Sequence, residues 1–524
     1  MRGAIDIAAL PDDPAVLRGL LAEVIAQRGG AVAERDALEA ANDRLRHLLR
    51  RLQRHQFGRR SERLPEEQLQ LALADLETAV AAAEAREGRQ DEALRKAQAE
   101  GRRRSRGALP AHLPRVEVLI EPESTACPCC QGMMAVIGED RAERLDVIPA
   151  RFRVLVMRRP RLACRACGDV VVQAPAPPRL IEGGLPTEAT VAHVLVSRYA
   201  DHLPLYRQAG ILARQGVPVD RSTLAHWVGT AAAEIEPVVR RLRGILLTSA
   251  RLFADETVVP VLDPGRGRTK QGYFWAIARD DRPWGGLDPP AVAYTYAPGR
   301  GGEHAHALLG RYRGILQCDG YAAYKRLADP GAAPGAAVIA TCWAHARRRF
   351  YDLARSGASP MAEEALRRIA ALYAVEADLR GQPPDARRTG REERSRPLVE
   401  GLFGWLEEHL DRVPGRGDLA DAIRYALKGR KGLTRFLDDG RIDLDTNAVE
   451  RSIRPIALSR KNALFAGSDE GGEHWAAVAS LIETCKLNGV DPQTYLADLL
   501  TRLVNGWPQS RIDELMPWHW PATT

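Results

Sequence analysis

Several features are scarce in this sequence, and each scarcity excludes a class of protein. No apolar run is long enough to cross a membrane as a helix. The N-terminal string MRGAIDIAALPDDP carries acids early and lacks the basic and apolar regions of a secretory signal, so we expect the protein to stay inside the cell. Eight cysteines in 524 residues do not suggest a disulfide framework. With 45% hydrophobic and 27% charged residues, the composition excludes a collagenous or wholly disordered chain.

The length and the charge say more about what is present. At roughly 100 to 200 residues per domain, a chain of 524 residues has room for about three to five domains, each with its own core. Basic residues outnumber acidic ones by 75 to 68, which gives a formal charge of +7. Arginine greatly outnumbers lysine, and its planar guanidinium suits phosphate oxygens, although genome composition also favours arginine and alanine. The charge hints at a nucleic-acid partner without deciding it.

The first part of the chain has a helical pattern. An apolar residue recurs at every seventh position from Leu17 to Leu52, with an interruption at a glycine pair. We therefore predict a helical, coiled-coil region over residues 1–100. A self-associating coiled coil and a helix packed on its own chain stay equally open, because the uninterrupted repeat covers only about three heptads. The basic, glycine-flanked segment Gly101–Gly107 marks a domain boundary.

Two C-x-x-C pairs follow this boundary. The predicted ligands are Cys127, Cys130, Cys164 and Cys167. Two such pairs place four thiolates around a tetrahedral ion, and the residues between the pairs look like a β-hairpin. Strand-like runs such as Phe152–Val156 accompany the cysteines. We therefore predict one structural Zn²⁺ in a zinc-ribbon DNA-binding domain over residues 108–178. A redox pair and buried structural cysteines are the alternatives, and Cys129 is a spare thiol that can compete for a ligand position. Three further cysteines are interpreted as core residues: Cys318, Cys342 and Cys485.

Residues 179–246 have the pattern of a helix-turn-helix. A first helix begins at Leu205 and ends at the C-cap glycine Gly216, and a second begins near Arg221, with Asp220 or Ser222 suited to cap it. The second helix of this motif enters the major groove with its early residues. The candidate DNA-contacting residues are Arg221, Ser222, Thr223 and His226. The residues expected to pack inward are Leu224, Trp227 and Val228. Any helical hairpin can show this pattern, so ordinary helix packing stays open.

Alternating strand-like and helical runs predict an α/β domain in the middle of the chain. The predicted strands are Arg251–Leu262, Gly272–Ala278, Ala291–Tyr296, Ile315–Cys318 and Ala337–Cys342. The chain then becomes helical from about Met361 to Asp439, and we expect a break in this helical region at the polar, Pro- and Arg-containing segment Gly381–Arg396.

Three acids stand out in this domain. Asp255 and Asp319 lie in or beside apolar strand-like runs, where a carboxylate costs free energy unless it is paired or holds a metal. Helical spacing puts Glu450 on one face with Asn447 and Arg454. Carboxylates are ligands for Mg²⁺, and two such ions stabilise the attacking and leaving oxygens of phosphoryl transfer. The alternative for each acid is a capping or salt-bridged role. The basic residues expected near DNA phosphates are Arg451, Arg454, Arg460 and Lys461.

Several strings in this sequence together resemble the transposase of insertion sequence sixty-six and its relatives. They are ADET at 254–257, QCDGY at 317–321, CWAHARR at 342–348, NAVERSIRP at 447–455 and RKNALFAGSDEGG at 460–472. The string FGRRSE at 57–62, the double C-x-x-C and the tail LIETCKLNG at 481–489 fit the same family in the same order. The resemblance therefore covers nearly the whole chain.

The resemblance implies a multidomain α+β transposase of the DDE type with a ribonuclease H-like catalytic core. Asp255, Asp319 and Glu450 match the acidic triad of the family, and Thr446 stands where an asparagine is expected. The implied units are a first part of the core at 247–351, a helical insertion at 352–441, a second part of the core at 442–480 and a helical tail at 481–524.

The resemblance also implies the activity and the partners. The protein would bind the ends of its insertion sequence, cleave them and join the 3′ hydroxyls to target DNA by phosphoryl transfer that depends on two Mg²⁺. We expect a homo-oligomer at the nucleoid in the bacterial cytoplasm, with small accessory proteins from the same element. Two alternatives remain, a DNA-binding regulator with a non-catalytic core and a ribonuclease H-like nuclease without strand transfer. The three intact acids argue against the regulator.

Overall fold

The structure is a computed structural model. It describes residues 152–163, 171–263, 266, 268–327, 337–356, 359–463 and 465–521, together with residues 16, 114–117, 129–131 and 133. The chain divides into two units, residues 1–150 and 151–524, and the elements below lie in the second. Apart from residue 16, the predicted coiled-coil region over 1–100 lies outside the described residues, as do Cys127, Cys164 and Cys167.

A short antiparallel hairpin opens the second unit. Strands β1 (Arg161–Ala163) and β2 (Val171–Gln173) pair with Leu162 opposite Val172, and they lie on either side of the second cysteine pair in the sequence. The predicted strand over Phe152–Val156 is wrong, because this segment has no regular secondary structure. An alternating pattern forms a strand only where a neighbouring strand pairs with it, and among the described residues none does so here.

Three helices follow the hairpin, namely α1 (Glu188–Tyr199), α2 (Leu205–Arg214) and α3 (Arg221–Leu246). The predicted turn between α2 and α3 is confirmed, with Gly216 in the left-handed region at φ 81°. Helix α3 continues past the predicted motif to Leu246. Asp220 occupies its N-cap position but makes no capping hydrogen bond through its side chain, so the predicted capping role is wrong for Asp220. The predicted inward packing is confirmed, since Leu224, Trp227 and Val228 are buried.

A five-stranded mixed sheet forms the centre of the unit. Its strands are β3 (Arg251–Asp263), β4 (Arg268–Arg279), β5 (Ala291–Ala297), β6 (Ile315–Cys318) and β7 (Val338–Thr341). Their order across the sheet is β5-β4-β3-β6-β7. The first three form an antiparallel meander, and β6 and β7 run parallel to β3. The predicted strands are confirmed; β4 starts four residues before the predicted Gly272 because β3 pairs with it as far as Asp263 opposite Arg268.

Helices connect and cover this sheet. They are α4 (Gly302–Leu309), α5 (Ala322–Arg326), α6 (Trp343–Ser356), α7 (Pro360–Leu379), α8 (Pro384–Leu410), α9 (Asp418–Leu433), α10 (Asn447–Ala463), α11 (Asp469–Leu487) and α12 (Pro492–Val504). In the described part of the chain, no helix is both long and apolar enough to cross a membrane.

The expected break over Gly381–Arg396 is wrong apart from a short turn at its start. Helix α8 begins at Pro384, where proline is tolerated because the first N–H groups of a helix have no partner within the helix. The polar pattern of this segment arises from buried ion pairs. Arg387 and Arg391, four residues apart, both point inward to Glu376, at 3.2 and 2.6 Å.

Two hydrophobic clusters hold these elements together. The first joins the sheet to α1, α3, α11 and α12, and it includes Phe274 and Trp475 with their ring centroids 5.1 Å apart. The second lies among α6 to α9 and includes Trp343 and Phe403, with centroids 5.9 Å apart. The sheet and the helical region between β7 and α10 therefore have largely separate cores.

Helix α11 covers the free edge of β5. The hydroxyl of Ser480 accepts the N–H of Tyr294 at 2.8 Å. The hydroxyl of Thr484 accepts the N–H of Val292 at 3.1 Å and donates to the carbonyl of the same residue at 3.0 Å. These side chains replace the backbone partners that a further strand would supply.

Candidate active site

The structure brings the three acids to one place. Asp255 lies in β3, and Asp319 directly follows β6, its parallel neighbour. Phe253 stands opposite Gln317 in this pair, so the two aspartates, each two residues further on, reach the same end of the sheet. Glu450 lies in the first turn of α10, which packs against β3. The charges of Asp319 and Glu450 both act on Asp255 and raise its pKa, as expected for neighbouring carboxylates.

The electrostatics of Asp255 show a pocket rich in negative charge. Burial, followed by the charge of Glu256, raises its pKa from 3.8 to about 7. The N–H of Glu256 donates to Asp255 Oδ1 at 2.8 Å and opposes this rise. The charges that act most strongly on Asp255 all come from carboxylates, and a divalent cation would reverse their effect. The donor set therefore fits a hard dication.

Local hydrogen bonds orient the other two acids. Asp319 Oδ1 accepts the N–H of Tyr321 at 2.9 Å in the turn after β6. Glu450 Oε1 accepts the hydroxyl of the buried Thr446 at 3.1 Å, and the N–H of Glu450 donates to the Thr446 carbonyl at 3.2 Å. Thr446 is the position where the family resemblance leads us to expect asparagine. Threonine at this position therefore still supplies a hydrogen bond to Glu450.

An ion pair between a buried acid and a half-exposed arginine supports the site from the other face of β3. Glu256 points away from Asp255, as adjacent strand residues do, and its side chain is 1% exposed. Arg300 Nε donates to Glu256 at 2.7 Å, and the Tyr324 hydroxyl donates to it at 2.6 Å. The Arg300 guanidinium stacks on Tyr321 at 4.0 Å, in the turn that carries Asp319. Sequence reasoning missed Glu256, although an acid in an apolar strand beside Asp255 needs a partner for the same reason.

A second buried network fastens the segment that leads to Glu450. Gln317 Oε1 accepts the N–H of Asp443 at 3.0 Å, and its amide donates to the Asp443 carbonyl at 2.8 Å. Arg251 and Arg387 donate to the two carboxylate oxygens of Asp443 at 2.7 and 2.9 Å. Three strictly buried polar side chains therefore join β3, β6 and α8 to the loop before α10. Sequence reasoning missed this network because its members are far apart in the chain.

Cys342 and His345 lie beside Glu450. His345 Nδ1 is 3.9 Å from Glu450 Oε1, and Cys342 Sγ accepts the N–H of Thr446 at 3.4 Å. The prediction that Cys342 is a core residue is confirmed, since it is 1% exposed, and burial raises the pKa of its thiol to about 11. Its position next to an acid of the candidate site was missed. The C-x-x-H spacing at the start of α6 is a signal for it, because helix geometry brings residues three apart to one face.

The candidate DNA-contacting residues are at or near the surface. On α3, Arg221, Ser222 and His226 are exposed and Thr223 is partly buried. On α10, Arg451, Arg454 and Lys461 are exposed. Arg460 is different, because it is partly buried and its Nη1 donates to the carbonyl of Val258 in β3. Burial lowers the pKa of Arg460. This arginine therefore has a structural contact in addition to any contact with DNA.

Of the predicted zinc ligands, the structure describes Cys130. Cys130 and its neighbour Cys129 are both exposed, and neither forms a disulfide. The other three predicted ligands lie outside the described residues, so the four-cysteine site stays a prediction.

Family profiles match most of the chain. The profile of the Transposase IS66 family matches residues 183–474, and that of the IS66 C-terminal element matches 480–518. The zinc-finger binding domain of transposase IS66 matches 124–168, and the profile described as Transposase C of IS166 homeodomain matches 44–118.

Three proteins of Sinorhizobium fredii (strain NBRC 101917 / NGR234) are similar over most of their lengths, and all three are described as uncharacterized. Protein y4qI is 45% identical over 98% of this chain and 98% of its own length. Protein y4jD is 46% identical over 80% of this chain and 83% of its own length, and y4hP is 36% identical over 92% and 88%. With more than half of its residues matched by a single profile, this chain belongs to the IS66 family of transposases.

Proposed function

We propose that this transposase cleaves the ends of its element and joins the freed 3′ hydroxyls to target DNA, with Asp255, Asp319 and Glu450 as its catalytic carboxylates. The convergence of these three acids, from two parallel strands and a helix, carries the proposal. Each acid accepts its own hydrogen bond from a neighbouring backbone N–H or hydroxyl group, which helps to maintain its geometry, as catalysis requires.

The proposed catalytic core is ribonuclease H-like. The mixed five-stranded sheet supports this, because two of the acids lie on or just after adjacent parallel strands at its centre. The third acid comes from a helix that packs against one of those strands. The helical region from α6 to α9 has its own hydrophobic cluster, which supports its proposed role as an insertion at residues 352–441 between the second acid and the third.

The proposed ligands of two Mg²⁺ are Asp255, Asp319 and Glu450. When bound, such ions activate the attacking oxygen and stabilise charge on the phosphoryl group. These acids must be deprotonated to bind Mg²⁺. Without a bound ion, burial and the neighbouring carboxylates raise the pKa of Asp255 and so favour its protonated form. Thr446 and the N–H of Tyr321 hold the other two carboxylates in place before any ion binds.

DNA recognition is proposed to involve three regions. The exposed arginines and lysine of α10 follow Glu450 on the same helix and would contact phosphates near the acids. The early residues of α3, from Arg221 to His226, would contact a groove. The four cysteines of the C-x-x-C pairs would hold one structural Zn²⁺, and the family's zinc-finger profile covers all four positions. We also propose action as a homo-oligomer at the nucleoid, with accessory proteins of the same element.

An in vitro assay with Mg²⁺ and DNA carrying both element ends tests this proposal. We expect the wild-type protein to nick the ends and to form joined products with target DNA. Asp255→Asn and Glu450→Gln should keep end binding and lose cleavage, because only the carboxylate cage changes. Glu393→Gln, at an exposed position on α8, is the matched control and should retain activity.

The same assay separates the alternatives. Strand transfer that is unchanged in Asp255→Asn or Glu450→Gln would contradict the assignment of the acids. Cleavage without joined products would favour a nuclease, and end binding without cleavage by the wild-type protein would favour a DNA-binding regulator.

A further inference from the structure

We propose that Cys342, His345 and Glu450 form a further metal site, for a zinc-class divalent ion, which shares Glu450 with the catalytic carboxylates. The site itself follows from the geometry of these three side chains. Its effect on catalysis rests on the proposed function, because only that function makes Glu450 a catalytic residue.

The three side chains are close enough to surround one ion. One ligand atom from each, namely the Cys342 sulfur, a His345 ring nitrogen and a Glu450 oxygen, lie within 4.8 Å of one another. Ligand atoms around a tetrahedral zinc ion are roughly 3.3 to 3.8 Å apart, given its bond lengths. Contraction by about an ångström closes the site. His345 and Glu450 can supply this movement, since their side chains are 35% and 39% exposed, while Cys342 is fixed in the core.

One atom of the cluster is buried without a hydrogen bond. His345 Nδ1 forms no hydrogen bond with any described residue, although it is excluded from solvent, and it lies 3.9 Å from Glu450 Oε1. A buried ring nitrogen without a partner costs free energy, so such an atom calls for a ligand. Coordination to a cation between His345, Cys342 and Glu450 would satisfy it.

Neighbouring hydrogen bonds orient the other two ligands. The N–H of Thr446 donates to Cys342 Sγ at 3.4 Å, which favours the thiolate form. The hydroxyl of Thr446 donates to Glu450 Oε1 at 3.1 Å. A single buried residue thus contacts two of the three ligands, as outer-shell partners do in metal sites.

The chemistry of the ligands selects the ion. A thiolate, an imidazole and a carboxylate are the mixed sulfur, nitrogen and oxygen set that Zn²⁺ and Co²⁺ prefer, whereas the carboxylates of Asp255 and Asp319 suit Mg²⁺. Binding of the ion displaces the thiol proton of Cys342, which passes to solvent. Because Glu450 belongs to both sets, occupation of this site withdraws an oxygen ligand from the proposed catalytic ions. We therefore expect Zn²⁺ to inhibit cleavage through Cys342.

Cobalt spectroscopy of the full-length protein tests the site without reference to catalysis. The protein is first given one molar equivalent of Zn²⁺, the amount that fills the predicted four-cysteine ribbon and no further site. Co²⁺ is then added while the thiolate-to-cobalt absorption in the near ultraviolet is recorded. We expect one saturable band. Cys342→Ser should abolish this band. His345→Ala should weaken Co²⁺ binding by at least about tenfold, because loss of a residue that only supports a ligand already weakens metal binding by that factor. Cys485→Ala, at a buried cysteine on α11, should leave the band unchanged.

Two results would overturn the proposal. One is a band of equal strength in Cys342→Ser, which would assign the cobalt to the ribbon alone. The other is the absence of any band from wild-type protein whose circular dichroism shows it to be folded. The ratio of cleavage rates with and without Zn²⁺ then tests the consequence, and the inhibition should fall at least about tenfold in Cys342→Ser. If cobalt binds but Mg²⁺ supports no cleavage, the proposed function fails and the metal site stands. If cleavage depends on Glu450 but no cobalt band appears, the proposed function stands and the metal site fails.

Discussion

The ion pair between the buried Glu256 and the half-exposed Arg300 leads to a prediction opposite to the one that side-chain exposure alone would give. The Glu256 side chain is 1% exposed, whereas that of Arg300 is 45% exposed. Removal of Arg300 leaves the buried carboxylate without its opposite charge, while neutralisation of Glu256 leaves a guanidinium that water already reaches. We therefore expect Arg300→Ala to destabilise the protein more than Glu256→Gln, although Arg300 is the more exposed residue.

The contacts of the pair set the expected magnitudes. Loss of one partner of a buried ion pair costs about 3 to 5 kcal/mol. The Tyr324 hydroxyl still donates to Glu256 at 2.6 Å in Arg300→Ala, so we expect a loss of about 3 kcal/mol. Glu256→Gln exchanges charge-assisted for neutral hydrogen bonds, which costs about 1 to 2 kcal/mol. The double variant leaves no buried charge unpaired, and its stability should be close to that of Glu256→Gln.

Urea unfolding followed by tryptophan fluorescence measures these differences, because Trp275 packs against Tyr324 with ring centroids 5.9 Å apart. The surface pair of Glu408 and Arg412 is the control, since both side chains are more than half exposed. Substitutions there should change the free energy of unfolding by less than about 1 kcal/mol. Equal losses in Arg300→Ala and Glu256→Gln would refute the reasoning that burial of the acid determines the cost.

Three further predictions concern the site and the ribbon. The pKa of Asp255 is raised from 3.8 to about 7 in the folded, metal-free protein, so the contribution of Asp255 to stability is present below about pH 4 and is lost as the pH rises to about 7. Because Mg²⁺ binds the deprotonated carboxylate, Mg²⁺ at pH 8 should raise the melting temperature of the wild type more than that of Asp255→Asn. Thr446→Val should slow cleavage by removing the hydroxyl that Glu450 accepts, and Thr446→Ser should retain the rate; a single-turnover assay that finds the two variants equal would exclude this role. Cys164→Ser or chelation should expose residues near 120 to 175 to protease and weaken end binding, whereas freshly purified protein that contains no zinc would contradict the predicted ribbon.

Much of the central domain could be predicted from local patterns. The apolar alternation that predicts β3 to β7 is confirmed because each of these strands has a neighbour in one sheet. The same kind of pattern at Phe152–Val156 gave a wrong prediction, since alternation supplies a strand's side-chain faces and not its hydrogen-bond partner. The candidate site could also be anticipated, because an unpaired Asp255 or Asp319 in an apolar strand is costly unless a cation compensates it.

The parts that sequence reasoning missed depend on contacts between distant residues. The polar run around Arg387 and Arg391 suggested a break, yet it is helical because Glu376 and Asp443, on other elements, neutralise these arginines in the core. Similarly, Cys342 has the pattern of an ordinary core residue until the fold brings it beside Glu450. Local periodicity contains no information about either partner.

The hydroxyls of α11 that bond to the backbone of β5 have a consequence for assembly. Since Ser480 and Thr484 already occupy the N–H groups of Tyr294 and Val292, this margin of the sheet cannot recruit a strand from another polypeptide. A second copy of the chain therefore cannot extend the sheet by strand pairing at β5. The backbone ladder that runs from β5 through β4 to β3, the strand that carries Asp255, is therefore closed to strand exchange from this edge.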